Sequence, residues 1–399
     1  MVEERFDILM LLDNPLISDQ RVEKEARSMA KAGLKILILA SAEDSAKPQQ
    51  EDRDGYRILR VLEPFFKHPL RFGYKRKLRE TVDFVLRFNF TVLHCHDFQL
   101  LPVAAGVKAN KPGIPLVYDS HEYLHGWPYY KEIPTLFNRI KGFFVWKRFL
   151  QQERAAAQSI NALICPSNAI GMLQKLRFDS SLSPLIIRNI PEDQEVLHIQ
   201  DLRTELHLPP EVHIIVHAGN IHQSDEDVDR LVRAVKSRTN CHLLFIGNRP
   251  RYYAVKERLS VSVEAKGFVH FLEYDPIVLH GILQQCTVGV AATETRYLAH
   301  RVGSSNRIME YTKAGIPVIA TRQESHEEMS ETFGHIALYH SNDGASIQAA
   351  IQAVLSDRAG YMRRAKAASG QLSWNREIQP LIDLYSKISQ QHLIQNSSK

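Results

Sequence analysis

Short runs that are apolar on both faces recur along this chain, and they restrict its fold more than any other feature. A strand with one wet face alternates apolar and polar residues. A strand apolar throughout must be covered on both faces, as the strands of a parallel sheet are. FDILMLL (6–12) and LKILILA (34–40) are two such runs. Between them Val22, Ala26, Met29 and Ala30 fall on one helical face, with Ser18 or Asp19 placed to cap its start and Gly33 to end it. Strand, helix and strand in that order form a βαβ unit.

The alternation continues through TVLHC (91–95), a helix over 99–110, IPLVYDS (114–120), a long helix over 133–158, NALIC (161–165) and PLIIRNI (184–190). It lapses over 190–211, a polar stretch that ends in Pro209-Pro210 and reads as an interdomain linker. A second series follows: HIIVHAG (213–219), a helix carrying Val228, Leu231, Val232 and Val235, then HLLFIGN (242–248), FVHFLEY (268–274), CTVGVAA (286–292), a helix over 305–314 and IPVIAT (316–321). From 344 the tail reads as helical to the end. The expected organisation is two Rossmann-like domains, 1–190 and 191–373, with a helix over 374–399 crossing back to the first. A length of 399 residues, 44% of them hydrophobic, suffices for two such cores.

Composition removes several classes. A net charge of +5 is modest for this length and does not by itself argue for a nucleic-acid partner. Cys95, Cys165, Cys241 and Cys286 form no C-x-x-C pair and lie in apolar runs, as reduced core thiols of a cytoplasmic protein do. No apolar run approaches the roughly 20 residues needed to cross a bilayer. The start, MVEERFDILMLLDN, reads as a first strand and not as a signal peptide. Neither half has G-x-G-x-x-G after its first strand, which disfavours an NAD dehydrogenase.

Ligands of open α/β sheets bind outside the carboxyl ends of the strands. The most informative segment there is SSNRIMEYTKAGIPVIAT (304–321). Its helix start offers backbone N–H groups to a diphosphate, Arg307 adds positive charge, and Glu310, one turn on, is able to accept from ribose hydroxyls. The bland alternative is a surface helix with an incidental charge pair.

This segment resembles the nucleotide-sugar signature of the retaining glycosyltransferases of GT-B architecture, family four (glycosyl transferases group 1), in which two Rossmann-like parallel-sheet domains face a central cleft. There a loop of type P-N-K precedes F-E-Y-x-x-x-G-x-P-V. Ser305-Asn306-Arg307, Met309-Glu310-Tyr311 and Ala314-Gly315-Ile316-Pro317-Val318 are similar to it. Five further segments fall in the family's order: Asp19 to Ala26 like its first helix, His94-Cys95-His96-Asp97, Val117-Tyr118-Asp119-Ser120-His121-Glu122, Ile187-Arg188-Asn189-Ile190-Pro191 like its hinge, and Ser373-Trp374.

The resemblance implies transfer of a sugar from a UDP-, GDP- or similar nucleotide with retention, to a saccharide or lipid-linked acceptor of cell-envelope polysaccharide or glycolipid synthesis, with no metal or other cofactor. Gly219, Asn220, Arg249, Ser305, Asn306, Arg307 and Glu310 would bind the donor. His121, as a neutral imidazole over the reacting sugar, would act with Asp97 and His96, and Arg21 and Glu122 would lie on the acceptor side. A strand-end histidine satisfied by a backbone carbonyl is the plain alternative for His121. His94, His96 and Asp97 also admit a metal reading, though no recognised metal motif continues them.

The sequence departs from the family in three places. Gly303 replaces the first acid of E-x7-E, Asp13-Asn14-Pro15-Leu16 replaces the N-terminal glycine loop, and the loop from Ala218 to Asp225, with His222 and Gln223 inside it, has no Lys or Arg. Diphosphate charge then falls to Arg307, Arg249 or Arg251, and backbone amides. A nucleotide-sugar epimerase of the same fold and a diverged binder without turnover are the competing readings.

Two segments fit the inner face of a membrane. Residues 65–79, from Phe65, carry six Lys/Arg and no acid, and 139–149 combine Phe143, Phe144, Trp146 and Phe149 with basic neighbours. A solvated face held to the core by its aromatics explains them equally.

Overall fold

The computed structural model describes residues 4–17, 19–43, 47–64, 66–178, 181–192, 200–221, 224–273, 277–293 and 295–397. The cap expected at Ser18, Phe65, linker residues 193–199, His222 and Gln223, Tyr274 and the last two residues of the tail lie outside the described residues. The chain divides into two compact units, residues 1–188 with 375–399, and residues 189–374.

Among the described residues the first unit holds β1 (Arg5–Leu11), β2 (Ile36–Ser41), β3 (Gln50–Arg53), β4 (Tyr56–Leu62), β5 (Asn89–His96), β6 (Leu116–Asp119), β7 (Ala162–Cys165) and β8 (Leu185–Ile186). They form one sheet of order β3-β4-β2-β1-β5-β6-β7-β8. Its helices are α1 (Gln20–Lys31), α2 (Tyr74–Val85), α3 (Leu101–Asn110), α4 (Leu136–Ala157) and α5 (Asn168–Phe178). All pairings are parallel except β3 with β4, which is antiparallel at the edge. Edge pairing leaves β3 half wet, and its sequence, QEDR, carries no apolar signal. The run expected as a strand over 184–190 pairs with β7 only at Leu185 and Ile186. Asp19 caps α1 by accepting from Val22 N–H.

The second unit contains α6 (Leu202–Glu205), β9 (His213–Ala218), α7 (Asp225–Lys236), β10 (Cys241–Ile246), α8 (Pro250–Ser260), β11 (Val269–Leu272), α9 (Leu279–Gln284) and β12 (Val288–Ala291). α10 (Leu298–Val302), α11 (Asn306–Ala314), β13 (Val318–Thr321), α12 (Glu324–Phe333), β14 (Ile336–Tyr339), α13 (Gly344–Ser356) and α14 (Arg358–Gln371) complete it. Its sheet is wholly parallel, of order β11-β10-β9-β12-β13-β14, the doubly wound arrangement. The strands bury both faces. On one, Ile215, Val288 and Phe245 meet Val228, Leu231 and Val232 of α7 and Ile347, Ile351 and Val354 of α13. The final helix, α15 (Trp374–Ser397), belongs from Asn375 onward to the first unit. There Glu377 accepts from Arg188 through its backbone N–H and its guanidinium.

The four cysteines are buried and free. No helix among the described residues is long and apolar enough to cross a membrane. The two basic segments divide by residue. Phe66, Tyr74 and Phe149 pack into the core, whereas Phe72 is fully exposed and Phe144, Ile140 and Leu70 stand largely in solvent.

Candidate functional site

In the first sheet the winding direction reverses between β1 and β5, and the carboxyl ends of β1, β5 and β6 gather a compact set of ionisable side chains there. Arg21 projects from α1 into the core and donates from Nε and Nη2 to the two carboxylate oxygens of Asp119, at 3.1 and 3.0 Å, and from Nη1 to the Ile187 carbonyl at 2.7 Å. Such a buried bidentate pair is held by geometry as much as by charge. It keeps Asp119 ionised, far below the usual carboxylate range despite burial.

Asp119 in turn accepts from His121. Nε2 of His121 lies 3.2 Å from Asp119 Oδ2, and Nδ1 lies 3.3 Å from Asp97 Oδ2. With a carboxylate at each nitrogen the ring must be a double donor, so it is an imidazolium. Burial alone would lower its pKa, but Asp97 and Asp119 hold it up at about 10. The expectation of a neutral imidazole is therefore corrected.

The set has an outer and an inner layer. The His121 and Asp97 side chains are 17% and 31% exposed, while those of His96 and Asp119 are fully buried. A substrate is able to touch the first pair and not the second. His96, expected to act on substrate, instead stacks on His94 at 4.1 Å and sets Nδ1 3.2 Å from His121 Nε2. Arg21, expected beside the acceptor, is an internal tie, and Glu122 is exposed at the rim. Asp97 has a left-handed backbone, φ 60°, which costs a residue with a side chain about 1 kcal/mol or more and aims its carboxylate at His121. Burial raises its pKa to about 6, against the pull of His121.

Two buried carboxyls carried no signal of a role in the sequence. Glu25, 3.2 Å from Arg21 Nε, is raised by burial to about 7. Asp13, where a glycine loop was the family pattern, is raised by burial to about 7. Glu25, His94, His96 and Asp119 bring four ligand-type atoms within 4.8 Å of one another. This arrangement does not suit an ion: rings stacked with planes 27° apart point their in-plane lone pairs nearly side by side, and Arg21 already occupies both oxygens of Asp119.

In the second unit the winding reverses between β9 and β12, and α11 begins near there. Ser305 caps α11 by accepting from Ile308 N–H. Arg307 reaches back to donate from Nη1 to the Ala292 carbonyl at 2.5 Å and from Nη2 to the Asn220 carbonyl. One guanidinium thus ties the end of β12 to the loop after β9 and supplies the cation that this loop lacks in sequence. Gly219 makes the approach feasible with a left-handed backbone, φ 89°. Asn306 is exposed and Glu310 half-buried on the same helix. The structure thus brings Gly219, Asn220, Ser305, Asn306, Arg307 and Glu310 to one corner of the sheet. Arg249 is exposed at the start of α8, and Arg251 is ion-paired with Asp225 at 2.8 Å.

Behind the corner a partly enclosed cavity lies at the carboxyl ends of the strands. Thr293, Thr321, Tyr339, Ser341 and Asp227 line it, together with Ala292, whose carbonyl holds Arg307. These residues come from four separate segments, and no spacing in the sequence connects them.

Residues 18–173 match the family described as "Glycosyl transferase 4-like domain", and residues 212–357 match "Glycosyl transferases group 1". No curated protein matches the sequence. Among solved structures the chain is similar to sucrose-phosphate synthase from Thermosynechococcus elongatus, with a TM-score of 0.72 at 17% identity over 96% of this chain and 99% of that one. It is similar to Anabaena HepE in complex with UDP, with a TM-score of 0.69 at 15% identity over 96% and 100% of the two chains. A UDP-forming α,α-trehalose-phosphate synthase from Burkholderia xenovorans, in complex with glucose-6-phosphate, gives 0.66 at 12% identity over 95% and 100%. At such identities the likeness is one of fold.

Proposed function

The chain belongs to the glycosyl transferases group 1, with a glycosyl transferase 4-like first half, and from that premise we propose that it moves a hexose, with retention, from a nucleoside diphosphate sugar to a hydroxyl acceptor. The observation that carries the reading is the Arg307 guanidinium fixed between the Asn220 and Ala292 carbonyls at the capped start of α11. In this reading the diphosphate lies against Arg307 and the first-turn amides, Glu310 accepts from the ribose, and no metal takes part. UDP is the first nucleotide to try, since structures of similar fold carry it.

Bond breaking puts negative charge on the departing diphosphate, and preorganised donors lower that barrier more than a strong base does. The partly exposed Asp97 carboxylate accepts a hydrogen bond from a sugar hydroxyl, and the His121 imidazolium fixes it and offsets its charge. Acceptors of envelope polysaccharide or glycolipid synthesis suit the protein's position in this reading: cytoplasmic, at the inner face of the membrane. Phe72, Phe144 and Ile140, with Arg71, Lys75 and Lys141 beside them in sequence, support that contact.

Calorimetry with UDP and UDP-glucose, on the wild type and on Glu310→Ala, tests the donor site. Loss of charged hydrogen bonds to ribose should weaken binding about 10- to 100-fold with the melting temperature unchanged. Wild-type affinity of the variant for every nucleotide sugar tried, GDP-sugars included, sinks the assignment. Binding with neither transfer nor hydrolysis would leave a nucleotide-sugar binder.

A further inference from the structure

A further carboxyl stands at the strand end beside Asp97. β1 and β5 pair in parallel with Leu11 opposite Cys95, so Asp13 and Asp97 each lie two residues beyond that last pair, at adjoining strand ends. The winding of the sheet reverses there, the place at which open α/β sheets receive ligands. Asp13 is 8% exposed, and its Oδ2 is buried with no hydrogen-bond partner among the described residues. The cation that acts most on it, Lys67, already gives its ammonium to both oxygens of Glu43 at 2.7 Å. A carboxyl in this condition weakens a fold in either protonation state, because a buried polar oxygen is left without a partner.

The loop nevertheless holds it in place. Buried Arg60 donates from Nε to the Pro15 carbonyl at 2.8 Å, and Ser41 N–H donates to the Asn14 carbonyl at 3.0 Å. The Asn14 side chain donates to Asp19 Oδ2 at 2.9 Å and accepts from Leu16 N–H at 2.8 Å. Leu16 is fully buried with a left-handed backbone, φ 52°, which a residue with a side chain keeps only where its surroundings impose it. Moving Asp13 out to solvent would undo these contacts. The same loop suits an anion poorly. A glycine loop meets a phosphate with bare amides, but here Pro15 has no N–H and that of Leu16 is taken by Asn14. The charges that act on Asp13 from nearby segments are two further acids, Glu43 and Asp97, and the engaged Lys67.

We propose that Asp13 and Asp97 form one acceptor subsite, in which the two carboxyls accept from hydroxyls of an unphosphorylated sugar ring, and that a sugar phosphate is excluded from it. Adjoining strands lie about 4.8 Å apart, close enough for carboxyls at their ends to share one ring. Burial raises the Asp13 pKa to about 7. A sugar hydroxyl supplies the donor that this carboxyl lacks, whereas a phosphate dianion adds charge of the same sign. Asp13 is thereby a specificity-determining residue that has no counterpart in a glycine loop.

The inference rests on the proposed transfer to a hydroxyl acceptor, and its test is read without nucleotide. Saturation-transfer NMR on the full-length protein is run with glucose, galactose, mannose and N-acetylglucosamine, and with the 6-phosphate of each. At least one parent sugar should take saturation from the wild type, and its 6-phosphate about five-fold less. The parent sugar's signal should fall about five-fold or more in Asp13→Ala. Asp13→Asn keeps the shape and must lower it too, which keeps the test open should Asp13→Ala fold poorly. Asp13→Asn should also melt above the wild type at pH 8.5, since it removes a buried charge that lacks a partner; a lower melting temperature would mean that the carboxyl supports the loop, and overturns the inference. A 6-phosphate that binds as well as its parent, saturation undiminished in both variants, or saturation from none of these sugars overturns it as well. Failure of UDP and UDP-glucose to bind the wild type sinks the donor reading and leaves the sugar result standing.

Discussion

His121 donates to Asp97 from one nitrogen and to Asp119 from the other, so its charge belongs to the fold before any substrate arrives. That charge has a thermodynamic signature. The pKa of about 10 in the fold exceeds the ordinary histidine value of 6.5. The contribution is therefore fully present below pH 6.5 and is lost as pH rises through about 10. Asp97, Glu25 and Asp13, raised to about 6, 7 and 7, shift the same way but complete their loss nearer neutrality. Between pH 7.5 and 9.5 the falling stability should come from His121 together with the four buried cysteine thiols, which burial raises above their ordinary value. The drop in melting temperature over that interval should be smaller in His121→Gln than in wild type by about 5 °C. Equal slopes in the two proteins would show that the ring is not charged. His121, Asp97, Arg307 and Glu310 were legible in the sequence because each sits in a short motif at a strand or helix end. The neutral reading of His121 failed because Asp119 lies two residues before it and Asp97 on another strand, and sequence does not show that both converge on one ring.

Helix α11 shows how one residue outside the site sets an element's place. Tyr311 buries its ring against β12, and its hydroxyl accepts from Ala218 N–H at 2.9 Å beside the carbonyls of Val216 and Val290. Gly289 makes room for it, since a Cβ there would stand inside the van der Waals surface of the ring. Gly289→Ala should therefore push α11 off the sheet, costing about 2–3 kcal/mol by thermal melts and weakening UDP with it. Tyr311→Phe, which keeps the packing, should cost only about 1 kcal/mol. If Gly289→Ala binds UDP as wild type does, the placement of α11 is not what forms the donor corner. Most elements were legible for the physical reason given at the outset, that strands buried on both faces read as unbroken apolar runs. Those missed lack that signal. The edge strand β3 is half wet, and α8, rich in Arg, Tyr and Lys, presents only Tyr252, Val255 and Leu259 to the core.

The two units differ in how the chain closes them. The second is one continuous segment, residues 189–374, with its own parallel sheet and core. The first is left incomplete at Arg188 and is finished only by residues from Asn375 onward. Ile378, Leu381 and Tyr385 of α15 are buried, and Glu377 holds Arg188 through three hydrogen bonds. Removing α15 would strip that apolar cover and part the Tyr385 hydroxyl from His94 Nδ1, 2.6 Å away, a combined loss comparable to the roughly 5–15 kcal/mol that holds a domain together. Residues 189–374 expressed alone should accordingly melt in one cooperative transition and bind UDP as the full chain does. Residues 1–188 expressed alone should show poorly dispersed amide spectra and aggregate, although they contain the whole eight-stranded sheet and every group of the His121 cluster. Cooperative melting of the 1–188 fragment, with His121 still charged at pH 8.5, would show that the last helix only decorates the first unit.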